Sequence, residues 1–428
     1  MRSSKEHLGK GSRQSLKPAD LVILGFGIFL AIALRLSLFG FESADYDRFL
    51  SRWYDFIVTN GGFSAFKDTF SNYSPLYLYF LTLATYLPLP KLYAIKLVSI
   101  AFDFLLAFFV LLIVRLRYEN RVVWISSFFA ALFTPTVFFN SALWGQCDAT
   151  YASMLVASIY FAIRRRPNLS LFFFSVALSF KLQAIFLFPL FIILLLKRRV
   201  PSYSFLIIPA TYMVSILPAW LMGKPLLDLL MVYPSQTRLF PGVAQSASNW
   251  QQWGPNNWGQ NASNWQSWAR GDLAWDGPNL YQWLPNNPGL FEKPGLILAG
   301  LLVCLLCLFC WRSTVSFDRD MIVKVSLVSL LLVPFTLPEM HERYFFAADV
   351  VSIIYAFYWP KRFFIPILVV GASLLSYISF LFYHEELISA QYLAILMGVA
   401  LIVTVVDLIK SLYPNMAEQL RWRQPSSS

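Results

Sequence analysis

Asn168-Leu-Ser-Leu-Phe-Phe-Phe-Ser-Val-Ala-Leu-Ser-Phe-Lys181-Leu-Gln-Ala-Ile-Phe-Leu-Phe-Pro189-Leu-Phe-Ile-Ile-Leu-Leu-Leu196 is the stretch on which the folding of this chain turns. Its long apolar runs are interrupted by a single charge, Lys181, and basic residues close both ends: Arg164–Arg166 before it and Lys197–Arg199 after it. Cytoplasmic loops of membrane proteins collect Lys and Arg, so both ends belong on one side. Twenty-nine residues are too few for two full spans of about 20 residues each. The stretch therefore reads as two shorter helices that enter and return, meeting at an outer turn near Lys181. Such a turn is tolerated where it is buried in protein or lines a cavity.

Working outward, further apolar runs lie near 20–39, 94–114, 122–141, 149–163, 203–222, 295–311, 321–337, 344–359, 363–382 and 388–409. Between them sit more basic clusters: Arg2 to Lys17, Arg115 to Arg121, Arg312 with Arg319, Lys361–Arg362, and Arg421 with Arg423. All are expected in the cytoplasm. The segment 75–90 is short and begins and ends with proline, so it reads as an interfacial helix on the outer face. Arg48, Arg52, Lys67, Lys91 and Lys96 are outer-side exceptions to the charge bias. The expected fold is an all-α polytopic membrane protein of about twelve helices, with both termini cytoplasmic. A tail at 1–19 precedes a membrane domain at 20–410, and a second tail covers 411–428. Outer loop one runs over 40–93 and outer loop four over 223–294. The basic start is expected to lead into a retained first span, since no small-residue cleavage site follows.

Composition agrees. Of 428 residues, 57% are hydrophobic and 13% charged, about half the charge of a soluble domain. The net charge of +11 is spread in short clusters between apolar runs, which argues against nucleic acid as a partner. Cys304, Cys307 and Cys310 share a helical spacing inside one run and read as buried small hydrophobes rather than metal ligands. Cys147 stands alone, and no disulfide framework is implied. A zinc signature of the His-Glu-x-x-His kind is absent.

Five places could carry chemistry. Loop one opens Glu42-Ser-Ala-Asp45-Tyr-Asp47-Arg. Carboxylates at a membrane boundary can act as bases toward a hydroxyl or bind a cation; equally, Ser43 and Asp45 are ordinary helix-cap residues. Trp144-Gly-Gln146-Cys-Asp148 lies at the outer end of a run, where Asp148 contacts substrate or simply caps the next helix. Charges inside apolar runs are costly and point to function, which singles out Lys181, Arg35 and Asp103; snorkelling to the interface is the plainer account. Pro338-Glu-Met-His341-Glu342-Arg343-Tyr344 is dense in ionisable groups between two runs. Finally, 245–268 repeats Ala-Ser-Asn-Trp-Gln at 247 and 262 and contains Trp250, Trp253, Trp265 and Trp268, with Tyr281 and Trp283 following. Indole rings and amides suit a carbohydrate surface, as they suit an interfacial aromatic belt or a low-complexity insert. Asn261-Ala-Ser is a glycosylation sequon.

In order along the chain, the Asp45-Tyr-Asp47 opening, Tyr73-Ser-Pro-Leu76, Trp144-Gly-Gln-Cys-Asp148, Phe180-Lys181-Leu-Gln183-Ala and His341-Glu342-Arg343 resemble the GT-C glycosyltransferases that use polyprenyl-phosphate sugars. The likeness is nearest to GPI-type mannosyltransferases and their bacterial relatives, with dolichyl-phosphate-glucose glucosyltransferases also similar. It runs from about residue 20 to 360. The Trp-Asn-Gln insert departs from that family, whose fourth loop is more often apolar and rich in Asn and Pro; Asn279 to Pro285 does look familial.

The resemblance implies a GT-C-like helix bundle and an inverting transfer of mannose or glucose, as an extracytoplasmic activity, in the plasma membrane of a bacterial host. It makes Asp45 the general base and Asp47 its second-ranked neighbour. Lys181, His341 and Arg343 would lie near the donor phosphate, with Tyr73, Trp144, Gln146, Asp148, Gln183 and Glu342 lining the site. Arg35 is added as a further cation for the phosphate. The donor is a polyprenyl-phosphate-linked sugar and the acceptor a glycan, lipid or protein. A phosphate leaving group demands no metal, although a divalent ion is compatible with it. Two other classes fit the residues: a transporter or lipid-sugar flippase using Arg35, Asp103 and Lys181 along a path, and a non-catalytic assembly subunit working through loop four.

Overall fold

The computed structural model describes residues 17–235, 273–382 and 387–414. Helices dominate. α1 (Pro18–Ser37), α2 (Ser51–Thr59), α3 (Pro75–Ala84), α4 (Lys91–Arg115), α5 (Arg121–Leu132), α6 (Pro135–Phe138), α7 (Asp148–Ile163), α8 (Pro167–Phe180), α9 (Phe188–Leu196) and α10 (Ile207–Leu221) come first. α11 (Pro288–Arg312), α12 (Arg319–Thr336), α13 (Phe346–Tyr358), α14 (Phe364–Phe382) and α15 (Ala390–Leu412) follow. Two strands of two residues, β1 (Ala274–Trp275) and β2 (Met340–His341), pair in parallel.

Among the described residues six helices are long and apolar enough to cross a membrane: α1, α4, Ser202–Leu221, α11, Pro360–Phe382 and α15. α5 and Pro135–Trp144 form a seventh candidate, bent by 46°. The chain is therefore an all-α protein with membrane-spanning capacity. Of the runs counted in the expected dozen, 149–163, both halves of 168–196 (read as short) and 344–359 fold as shorter apolar helices of 10–17 residues, as does 75–90, which reads as lying outside the membrane. Among the described residues full-length spans number six, or seven with the bent pair. The apolar stretch of α1 is only 11% buried and that of α4 is 56% buried. α1 thus lies at the rim, where Val22, Phe26 and Phe29 face outward, as lipid contact requires, and α4 runs through the core.

One end of the bundle gathers the basic clusters. Arg121 pairs with Asp20 at 3.3 Å, Arg117 with Asp320 at 2.8 Å, and Arg362 with Asp407 at 2.5 Å. Arg319 donates to the Leu116 carbonyl, Lys197 to Ser313 and Arg199 to Phe317. Burial lowers the Arg199 pKa, and Arg165 nearby lowers it further, so the two flanks of 168–196 meet at this end. Lys181 marks the far turn: its backbone is extended, at φ −149° and ψ 143°.

Helix breaks cluster at that far end. Pro135 ends α5, because the residue before a proline is pushed out of the helical region. Gly145, at φ 82°, closes the turn Phe139–Trp144 in a conformation that glycine adopts freely. Lys96 of α4 is fully buried and donates to the carbonyls of Phe39 at 2.9 Å and Phe41 at 2.7 Å. It thereby satisfies polar groups left over where α1 ends.

Candidate functional site

Loop one starts where α1 ends and is pinned at once. Ser43 Oγ donates to the Trp144 carbonyl at 2.8 Å and accepts from the Tyr46 N–H. This sets Asp45 against the 139–146 turn. Its Oδ2 accepts from Trp144 Nε1 at 3.0 Å and from Gln146 Nε2 at 2.5 Å. Asp45 is buried, and both hydrogen bonds fall on a single oxygen. Asp47 points elsewhere: it is exposed, and its carbonyl accepts from Arg52. The structure thus separates the two loop-one acids.

The break at Lys181 faces the start of α7. Lys181 Nζ lies 2.6 Å from Asp148 Oδ1, and both side chains are buried. Asp148 is the first residue of α7, with Cys147 in the cap position. Asn140 clasps it from both sides: Asn140 Nδ2 donates to Asp148 Oδ2 at 2.8 Å, and the Asp148 N–H donates back to Asn140 Oδ1 at 3.3 Å. The Lys181 ammonium also sits 5.2 Å from the centre of the Tyr73 ring. Burial pushes the Tyr73 phenol pKa up, against the pull of Lys181. Burial raises the Tyr344 phenol pKa, and Gln183 is among the neighbouring groups that act against it.

The turn between α12 and α13 brings the third part. Arg343 Nη1 donates to Glu342 Oε1 at 2.7 Å. His341 Nδ1 is 3.7 Å from Glu342 Oε2. The Arg343 guanidinium lies 5.5 Å from the centre of the Trp144 ring, whose Nε1 holds Asp45. Burial acts to lower the Arg343 pKa, but Glu342, Asp45, Tyr73 and Asp148 outweigh it and hold it well above the usual value. Those four residues come from the turn itself, two parts of loop one and α7. Glu342 is held below the usual carboxylate range: burial would raise it, and Arg343 with the neighbouring His341 overcomes that. Arg343 Nε has no hydrogen-bond partner among the described residues.

Asp45, Tyr73, Trp144, Gln146, Asp148, Lys181, Gln183, His341, Glu342 and Arg343 are thus brought into one connected group. Arg35 is not. It is enclosed with Asp103 at 2.9 Å and donates to the Ala31 and Leu132 carbonyls. Tyr281 is buried and donates to the Thr336 carbonyl, while Trp283 is exposed. Trp250, Trp253, Trp265 and Trp268 lie outside the described residues. Among those described, no group of three or more His, Cys, Asp or Glu is placed to hold a metal ion. Sequence reasoning missed Asn140, though an amide inside Phe138-Phe139-Asn140-Ser141 was a visible anomaly.

An apolar groove of about 410 Å³ runs between α3 and α4, lined by Phe80, Leu83, Leu87, Val98, Phe102 and their neighbours. Phe80 and Phe102 both pack on Phe180, at 5.7 and 5.5 Å, and Phe180 is the residue before Lys181. No known protein family matches the chain, and no curated protein does.

Proposed function

We propose that the protein is an integral membrane glycosyltransferase that moves a hexose, mannose or glucose, from a polyprenyl-phosphate donor to a hydroxyl of a glycan, lipid or protein acceptor, with inversion. The observation that carries this reading is the convergence of one buried carboxylate, Asp45, with two cations, the buried Lys181 and the partly buried Arg343, from separate breaks in the helices. The reaction needs a base and a cationic cradle at opposite ends of the bond exchange. Asp45 takes the acceptor proton. The acceptor oxygen bonds to the anomeric carbon, the bond from that carbon to the phosphate oxygen breaks, and its electron pair leaves with the lipid phosphate. Lys181, Arg343 and His341 receive the charge. Their carboxylate partners orient them without exhausting their donors, since an ammonium has three and a guanidinium five. The apolar groove between α3 and α4, two of whose rings pack on Phe180, suits a lipid-linked substrate. The proposal includes a topology of about twelve membrane helices, counting the shorter ones, with both termini cytoplasmic and the site extracytoplasmic.

The test is transfer or slow hydrolysis of radiolabelled polyprenyl-phosphate mannose and glucose by the purified protein. Asp45→Asn should lower turnover by about 10²–10⁴-fold, the usual contribution of a general base, while still binding donor. Full activity in that variant would remove Asp45 from the role.

A further inference from the structure

The segment Leu273-Ala-Trp-Asp-Gly-Pro-Asn-Leu-Tyr-Gln-Trp283 follows the Trp-Asn-Gln insert, and its backbone is laced to the turn that carries His341. β1 pairs with β2 in register Ala274–Met340 and Trp275–His341, and Asp276 bridges back to His341. The Glu339 N–H donates to the Leu273 carbonyl at 2.8 Å, with Glu339 in the left-handed region at φ 62°. Asn279 Nδ2 donates to the Leu337 carbonyl and Tyr281 to that of Thr336. The fit is close at Gly277, where an added Cβ would stand 2.4 Å from the Met340 oxygen. On this template the Trp275 indole stacks on the His341 imidazole, at 5.4 Å and 15° between planes. Tyr344 closes on the same ring at 5.1 Å. The imidazole is partly exposed.

We infer that Trp275 is a positioning residue for His341: its indole face fixes the plane of the imidazole beside Glu342 and Arg343, making the 273–283 segment part of the working site. The activity arm of the test rests on the transferase reading; a chemical arm does not. For activity, Trp275→Ala should lower kcat about tenfold, the order that one aromatic stacking contact supplies, with the donor KM little changed. Trp275→Phe, which keeps a stacking face, should restore most of it. In a His341→Ala background Trp275→Ala should cost nothing more; an equal loss with and without His341 means Trp275 acts by another route and overturns the proposal. For the chemical arm, diethylpyrocarbonate modification of His341 is followed by mass spectrometry in the whole folded protein. Trp275→Ala and Gly277→Ala should speed it, and Trp275→Phe should not. An unchanged rate in both Trp275→Ala and Gly277→Ala overturns the proposal even if activity falls. Wild-type protein inactive on every polyprenyl-phosphate hexose would fail the transferase reading alone, leaving the modification rates to decide this one.

Discussion

Two buried ion pairs, Arg35–Asp103 and Lys181–Asp148, look alike in the sequence: each places a charge inside an apolar run. Their surroundings differ. Arg35 lies in α1 and Asp103 in α4, both within long helices. Arg35 Nε donates to Asp103, its two terminal nitrogens to the Ala31 and Leu132 carbonyls, and the guanidinium packs over the Phe104 ring. Asp103 also accepts from Ser141 at 2.5 Å. This pair ties α1, α4 and the bent 121–144 helix together, and every group of Arg35 is spent on that. Lys181 and Asp148 sit instead at helix breaks, where loop one and the His341 turn also arrive. A charge inside a helix, as Asp103 is in α4 and Arg35 in the last turn of α1, is enclosed by neighbouring spans and becomes a strut. A charge at a break meets other chain segments and the backbone polar groups that the break releases, and so becomes part of a site.

The largest effect that could break this contrast is on stability. Arg35→Ala leaves Asp103 buried without its partner, a change that typically costs about 3–5 kcal/mol. Thermal unfolding in detergent should show that loss, while turnover per folded molecule stays near wild type. Replacing both members by apolar residues, as in Arg35→Met with Asp103→Leu, should recover most of the stability, because apolar substitutes often match a buried pair. A fall in turnover of the folded Arg35 variant as large as that of the Lys181 variant would erase the distinction.

Next comes the pair at the break. Lys181→Met should lower turnover by about 10²–10³-fold, or about 2.7–4 kcal/mol of barrier, the usual loss when a preorganised donor is removed. Here the paired apolar replacement, Lys181→Met with Asp148→Leu, should restore stability and leave activity lost. Turnover restored together with stability would make Lys181–Asp148 a second strut.

The contrast also shows what the sequence carried. Run boundaries were legible: 20–39 became Pro18–Ser37, 94–114 became Lys91–Arg115, and 388–409 became Ala390–Leu412, because uninterrupted apolar length leaves the backbone no alternative to a helix. The turn at Lys181 was legible from its flanking charges. The bend in 122–141 was readable only in part: Thr134-Pro135 announces a break, but the 46° angle is set by packing. Partner choice was not legible. Nothing in the spacing of Arg35, Asp103, Asp148 and Lys181 says which acid meets which base, since each contact joins residues more than thirty positions apart. Nor does a two-residue strand at 274–275 have enough periodicity to be seen, although it holds the His341 turn.

The smallest effect concerns a third pair, Glu342–Arg343, which shares its turn with His341 and sharpens the contrast through pH. Glu342 has a lowered folded pKa because Arg343 and His341 outweigh the effect of burial. A depressed carboxylate pKa contributes stability that is fully present above the unfolded value, 4.5 for this group, and is lost as pH falls through the lower folded value. The contribution should therefore be flat from neutrality down to the ordinary carboxylate range and decline only below it. Glu342→Gln removes the charge and leaves Arg343 short of a partner, at a cost of about 1–3 kcal/mol near neutral pH. The gap between wild type and variant should then narrow on the acid side, as the wild-type carboxylate is protonated and loses the same interaction. Melting temperatures of both proteins, measured from neutral to acid pH, decide it: a gap of constant width would mean that Glu342 contributes by shape and not by charge.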